Sequence, residues 1–403
     1  MSSDNRVHYM DNLRAFAMLL GIFFHAALAY SPMLANLWLT SDPQNSVVVD
    51  VLAFFSHTFR MPLFFIVAGF FAALLIQKRG IGATAKNRGL RIVLPFVIFL
   101  PFVIISIVLI MGWAIENVQQ KNPLLGFIAM MAQNPDAPAP PLTTTHLWFL
   151  YQLTFFYAVV LICNKLGNKF NQLKVNWVGW SSARPLLIVA LLPVLMIPAL
   201  ATQYTPFPAP EKFMPQLWVF GFFFLFFLLG YALNKAPEIL DKLAPHALLL
   251  FIAGCAAYGA MFYMLPAQVS GQEAMMRMMQ GPVFTSTQVL EAWLEGMSSV
   301  FLSVSIILFA RRFLNKQSKS VRLISDASYW IYIIHFPVLM FIQFKLLDVN
   351  YSLITEFAIS SLLTFAIGFI TYLMFVRWTP IGWLLNGRKK AKAEPQTLAT
   401  QQV

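Results

Sequence analysis

The 403-residue chain is 59% hydrophobic and only 11% charged, and its 28 Lys and Arg exceed its 16 Asp and Glu to give a net charge of +12. A soluble domain carries roughly 25% charged residues, so this composition excludes a water-soluble globule. The excess positive charge is read first as a topology signal, and nucleic-acid binding is not inferred from it.

A window of about 19 residues marks ten apolar segments, near residues 12–30, 50–77, 92–112, 146–164, 185–203, 215–233, 247–265, 289–310, 322–342 and 353–376. A helix needs about 20 residues to cross the hydrocarbon core, so an all-α, polytopic membrane protein of about ten spans is expected. With the N-terminus inside, the inner connections hold Arg79, Lys86, Arg88, Arg91, Arg184, Arg311, Arg312 and Arg322, while the outer ones hold only Lys121, Lys212, Arg277 and Lys345. That bias fits both termini in the cytoplasm. Residues 1–385 form one transmembrane unit, and 386–403 read as a basic, disordered tail. The acidic Asp4 and Asp11 and the long apolar run argue against cleavage of the first segment as a signal peptide. Cys163 and Cys255 both fall in spans and offer neither a disulfide framework nor a metal spacing.

The first segment, "YMDNLRAFAMLLGIFFHAALAY" over residues 9–30, carries three ionisable groups. Arg14 and His25 are eleven residues apart, about three helical turns, so they share a face roughly 16 Å apart along the axis. Asp11, Arg14, Met18, Gly21 and His25 make one stripe. Such a stripe faces a bundle interior or a water-filled cavity. The competing reading is hydrogen-bond glue between helices. Against it, His57 in "FFSHTFRMP", His146 in "THLWFL" and His335 in "YWIYIIHFP" are brought by the expected topology to the outer half beside His25.

Asp11 lies about 21 Å from His25 along the helix, too far to orient that imidazole, and pairs more naturally with Arg14. A carboxylate partner for His25 has to come from another helix, and Glu295 in "LEGMSS" is the candidate. At the inner face, "QKRGIGATAKNRGLRIVLP" places five cations in the 14 residues 78–91. Arg88 and Arg91, at i and i+3, project from one side as a fork suited to phosphate oxygens; the plain alternative is positive-inside anchoring. His57 and Arg60 share the same i, i+3 relation and suit a glycan or an acyl carboxylate. Trp148, two residues after His146, is a stacking candidate, although tryptophans also form interfacial belts.

Arg14-x10-His25, the Arg88-x-x-Arg91 pair, "FFIVAGFF" and "SYWIYIIHFP" together resemble the acyltransferase-3 superfamily of membrane acyltransferases. "LLGIFFHAALAYS", "FFSHTFRMPLFFIVAGFF" and "HLWFLYQL" resemble in particular its branch of periplasmic-glucan succinyltransferases. The resemblance covers most of the first four spans and the ninth and is loose between residues 165 and 320. It implies transfer of an acyl group, succinyl or acetyl, from cytoplasmic acyl-coenzyme A to a hydroxyl of a periplasmic or surface glycan, in the bacterial inner membrane. It implies His25 as the catalytic histidine, with Arg14, Arg88 and Arg91 handling the donor and no permanently bound cofactor.

A thioester is already activated and a sugar hydroxyl is a poor nucleophile, so the missing part is a general base. Neutral histidine supplies one. No serine or cysteine nucleophile stands out, which favours direct transfer over an acyl-histidine intermediate. The rival from another class is a transporter or flippase of a glycan or small anion, for which intramembrane Arg and His are equally at home. It predicts inverted repeats with broken helices in matching halves, and Pro95, Pro101, Pro193 and Pro198 show no such matching.

Overall fold

The structure, a computed structural model, describes residues 8–136, 141–169, 179, 182–270, 284–315 and 319–387. The tail from residue 388, expected to be disordered, lies outside them, as does Arg277 of the charge count. Thirteen α-helices are named here: α1 His8–Ala27, α2 Val47–Arg88, α3 Leu94–Asn117, α4 Pro123–Ala132, α5 Trp148–Lys169, α6 Pro185–Leu200 and α7 Leu217–Lys235. They continue as α8 Glu238–Leu243, α9 Ala247–Met264, α10 Ser286–Phe313, α11 Lys319–Leu346, α12 Leu353–Thr371 and α13 Pro380–Asn386. Among the described residues there is no strand, only an isolated bridge between Thr143 and Lys212.

Helix starts follow local chemistry. Ser46 caps α2 by accepting from the Val48 amide, Asn122 caps α4 ahead of Pro123, and Thr285 with Gln288 closes a capping box on α10. Each side-chain oxygen satisfies an amide that has no partner inside its own helix.

Eight helices among the described residues are long and apolar enough to cross a membrane, against the ten expected. The difference has two causes. The segments expected at 50–77 and 92–112 form one helical run, Val47–Asn117, because the basic stretch between them stays helical. That run breaks direction at Gly80 (φ 77°) and passes through a π-helical turn at Gly89–Val93. The segment expected at 185–203 is helical only over the 16 residues of α6, short of the roughly 20 a spanning helix needs.

The packing centre lies where α2 crosses α7. A β-carbon at Gly69 would stand 1.8 Å from the Phe227 carbonyl oxygen, and one at Gly230 would stand 1.8 Å from the Ile66 carbonyl oxygen. The two backbones therefore touch reciprocally, as small residues permit in membrane helices. Around this crossing Phe65, Phe156, Phe222, Phe223, Phe226 and Phe227 are fully buried. Helix α1 is enclosed by α2, α10, α11 and α12, so its polar stripe is turned inward.

The two ends of the bundle differ. At the basic end, Arg311 pairs with Asp241 at 2.8 Å, Asn12 Nδ2 donates to the Leu314 carbonyl at 2.6 Å and Asn386 Nδ2 donates to the Asp326 carbonyl at 2.8 Å. The beginning of α1 and the short C-terminal helix α13 thus lie at the same end. At the opposite end, residues 31–46 fold over the exit of α1. Asn122 Nδ2 donates to the Leu39 carbonyl at 2.7 Å, Thr40 Oγ1 donates to Gln343 Oε1 at 2.8 Å, and Gln343 Nε2 donates to the Ala26 carbonyl at 3.0 Å. Ser31 Oγ donates to the Asp50 carboxylate in the same corner.

Candidate active site

His25, His57, His146 and His335 line one cavity of about 60 Å³, together with Arg60 and Tyr332. They come from the end of α1, the first third of α2, the turn before α5 and the middle of α11. His335 is the hub: its ring centroid is 5.2 Å from His25 and 5.0 Å from His146. His57 is stacked against Phe24 at 5.0 Å and packs on Phe207 at 4.3 Å.

Each imidazole has one edge fixed or covered and one nitrogen without a partner. His57 Nε2 lies 2.9 Å from the Phe207 carbonyl, His146 Nε2 lies 3.0 Å from the Ile333 carbonyl, and His335 Nδ1 lies 2.7 Å from the Tyr332 carbonyl. The buried nitrogens left over are His25 Nδ1, His57 Nδ1, His146 Nδ1 and His335 Nε2. Unpaired buried polar atoms are costly in packed interiors and call for an explanation. Four around one cavity suit a polar reactant. Arg60 is buried, with its guanidinium 4.2 Å from the Phe24 ring centroid and its Nε unpartnered.

Two expected roles take a different form. Glu295 is buried, but its Oε1 accepts the Phe207 amide at 2.8 Å rather than meeting the His25 ring. The Phe207 peptide stands between carboxylate and imidazole, since its carbonyl faces His57. Glu295 therefore positions the 201–216 segment and, through it, His57. Trp148 is buried against Phe65, Phe149 and Phe223. It contributes wall to the cavity rather than an open stacking face, because the aromatic core between α5 and α7 claims its surface.

Toward the basic end lies a second cavity of about 250 Å³, lined by Arg14, Arg88, Arg91, Tyr157, Ser325 and Tyr329 among others. The π-helical turn at Gly89–Val93 sets Arg88 and Arg91 at its rim. Tyr329 Oη donates to the Arg91 carbonyl at 2.8 Å, and the Arg88 guanidinium lies 5.1 Å from the Tyr157 ring centroid with its Nε unpartnered. Arg14 Nη2 donates to Ser325 Oγ at 2.9 Å, which gives this charged group near the start of the stripe a polar partner on α11. Met18, Phe64, Phe149 and Tyr332 line both cavities. Those four side chains form the waist that separates the two adjacent chambers.

Several residues here were not singled out in the sequence. Trp38, one tryptophan among many, stacks on His25 with centroids 6.3 Å apart and an interplanar angle of 24°. Tyr332 joins both chambers, and its Oη donates to the His146 carbonyl at 2.6 Å; its place three residues before His335 was the available signal. Outside the spans, Glu211 holds its segment to the start of α5 through its backbone, its carbonyl accepting the Thr144 amide at 2.8 Å. Burial pushes the Glu211 carboxyl up to about 7.

A helical membrane bundle with a buried polar chamber set beside a cationic one suits a reaction or passage between unlike ends. The family model for an acyltransferase domain matches residues 7–373, and the chain belongs to this acyltransferase-3 family. It is similar to glucans biosynthesis protein C of Escherichia coli strain K12, with 24% identity over 412 residues covering 96% of each chain. The proteins of that name from E. coli O6:K15:H31 strain 536 and E. coli O1:K1 match with the same identity and coverage. No solved structure gives a significant match. The chain is a membrane-embedded acyltransferase.

Proposed function

We propose that the protein moves an acyl group, succinyl or acetyl, from acyl-coenzyme A to a hydroxyl of a glycan, across the bacterial inner membrane. In this reading both termini and the basic end face the cytoplasm, and the histidine chamber opens toward the periplasm. The observation that carries it is the waist of Met18, Phe64, Phe149 and Tyr332 shared by the cationic and histidine chambers. A coenzyme A donor has phosphates at one end, a thioester at the other and a long thin arm between. Arg88 and Arg91 suit the phosphates as charge-assisted donors. Arg14 would line the arm, and the thioester would reach the waist.

In the transfer, His25 accepts the proton of the acceptor hydroxyl at its free Nδ1. The hydroxyl oxygen bonds to the thioester carbonyl carbon, the carbon–sulfur bond breaks, and the departing thiolate takes up the proton that His25 had accepted. Arg60 lies at the same cavity to stabilise charge developing on the carbonyl oxygen. The glycan acceptor is suggested by the relatives, whose name refers to glucans. His57, Arg60, His146 and His335 would hold the acceptor or the acyl carboxylate.

Sealed vesicles of known orientation test this reading. Acyl-coenzyme A supplied on the basic face should acylate glycan enclosed on the opposite face. Product only when donor and acceptor share a face would sink the cross-membrane reaction.

A further inference from the structure

Beside the cationic chamber lies a second opening that nothing so far has used. It is a cleft of about 420 Å³ between the end of α12 and α13, lined by Tyr372, Arg377, Trp378, Trp383, Asn386 and Gly387. Asn386 lines the cationic chamber as well, so the two spaces share a wall. The partition is thin. A β-carbon at Gly387 would stand 2.0 Å from Arg91 Nη2, at a backbone φ of 81°. Arg91 therefore sits against the edge of the cleft, and the glycine leaves it room.

The cleft combines aromatic and cationic side chains. Trp378 is 67% exposed and Trp383 is 44% exposed. The Arg377 guanidinium lies 4.9 Å from the Trp378 ring centroid, and its Nε has no hydrogen-bond partner. Tryptophan faces with an adjacent guanidinium are what a purine and its phosphate require: stacking area for the base and charge-assisted donors for the anion. The backbone is also unusual here. Tyr372–Val376 is a π-helical turn just before Arg377, and Gly89–Val93, which carries Arg91, is another. Such turns recur at functional sites. Both meet α13, whose Asn386 is anchored to the Asp326 carbonyl one residue from Ser325, the partner of Arg14.

We infer that this cleft seats the nucleotide end of the acyl donor, with the purine on Trp378 and Trp383 and phosphate between Arg377 and Arg91. The inference rests on the donor being an acyl-coenzyme A and deepens that reading by dividing the donor site in two. The arm and thioester enter the cationic chamber, and the base stays outside, across Asn386 and Gly387.

Binding to the purified full-length protein is measured with three probes: coenzyme A, 4′-phosphopantetheine, which lacks the nucleotide, and adenosine 3′,5′-bisphosphate, which lacks the arm. Trp383→Ala and Arg377→Gln should each weaken coenzyme A about tenfold or more. They should leave 4′-phosphopantetheine within twofold and abolish competition by the bisphosphate. Trp383→Phe, which keeps an aromatic face, should restore most of the affinity and so separates stacking from loss of fold. Arg91→Gln should weaken both coenzyme A and the arm fragment. Unchanged coenzyme A binding in the Trp383 and Arg377 variants, with Arg91→Gln still harmful, overturns the cleft and leaves the donor reading standing. Equal weakening of coenzyme A and the fragment overturns it as well. A wild-type protein that binds none of the three removes the donor reading and the cleft together.

Discussion

His25 and His335 face each other with ring centroids 5.2 Å apart, and each keeps one buried ring nitrogen without a partner. They arrive from the end of α1 and the middle of α11, and their facing edges border the small chamber. Three of the four imidazoles on that chamber are tied to backbone carbonyls, His335 through Tyr332, His57 through Phe207 and His146 through Ile333. His25 has Trp38 over its ring instead, which leaves it the freer proton acceptor.

His25→Ala should therefore reduce acyl transfer by at least a hundredfold, in line with the usual worth of a general base, while the protein still inserts and elutes as a single species. His246→Ala, at a half-buried position in the turn before α9 and outside both chambers' lining, should be nearly silent. Steady-state transfer rates of the two variants check the assignment, and a His25→Ala enzyme retaining more than a few per cent of activity would refute it.

Arg88→Gln and Arg91→Gln should weaken the donor more than the acceptor. A charge-assisted hydrogen bond is worth roughly 1.5–3 kcal/mol, so donor affinity should fall about tenfold or more for each. Donor and acceptor saturation curves separate this outcome from topology: if the arginines only orient the protein, both curves stay unchanged in the correctly inserted fraction.

Glu295→Gln should be tolerated, because the amide oxygen still accepts the Phe207 N–H. Glu295→Ala leaves that buried amide unsatisfied at a cost of roughly 1–3 kcal/mol and loosens the segment that holds His57. Lower thermal stability and slower transfer for Ala, with both largely restored in Gln, is the expected pattern. Equal loss of transfer in both variants at unchanged stability would mean that the carboxylate acts on the substrate itself.

Gly230→Ala should be among the most damaging changes to the fold, since its β-carbon would fall 1.8 Å from the Ile66 carbonyl oxygen. Helix α7 has to move away from α2, and overpacking of this kind costs roughly 1–3 kcal/mol or more. Gly259→Ala, where nothing lies within 4 Å, is the matched control. Melting temperatures in detergent give the comparison.

Glu211 gives a pH dependence of stability. Its carboxyl is raised by burial to about 7 from an ordinary value of 4.5. The folded protein then holds a proton that the unfolded chain has lost, so stability falls as pH rises between 4.5 and 7 and the cost is complete above that range. Discounted for its partial exposure, the cost is of the order of 1–2 kcal/mol. Glu211→Gln should melt higher than the native protein at pH 8 and no differently at pH 4. An unchanged difference across that range would show that the carboxyl titrates alike in the folded and unfolded chain.

The sequence by itself determined the solvent of this protein and which polar groups share the inward face of its first helix. The eleven-residue step from Arg14 to His25 puts both on one face of α1 whatever α1 packs against, because helical periodicity is local. The basic bias of one set of connections and the apolar runs are equally local, and they sufficed for an all-helical membrane protein. Span count was not settled by the same reasoning, since whether the basic stretch after Gly80 bends or continues, and whether α6 crosses, depend on neighbours. Tertiary structure alone decided who meets whom. It sent Glu295 to the Phe207 amide, Arg14 to Ser325 and Trp38 onto His25, and it brought α13 with Gly387 back against Arg91. The physical reason is that such contacts join residues far apart in the chain through helix crossings, and a crossing is set by side-chain packing on both helices at once. No periodicity within a single segment records that pairing.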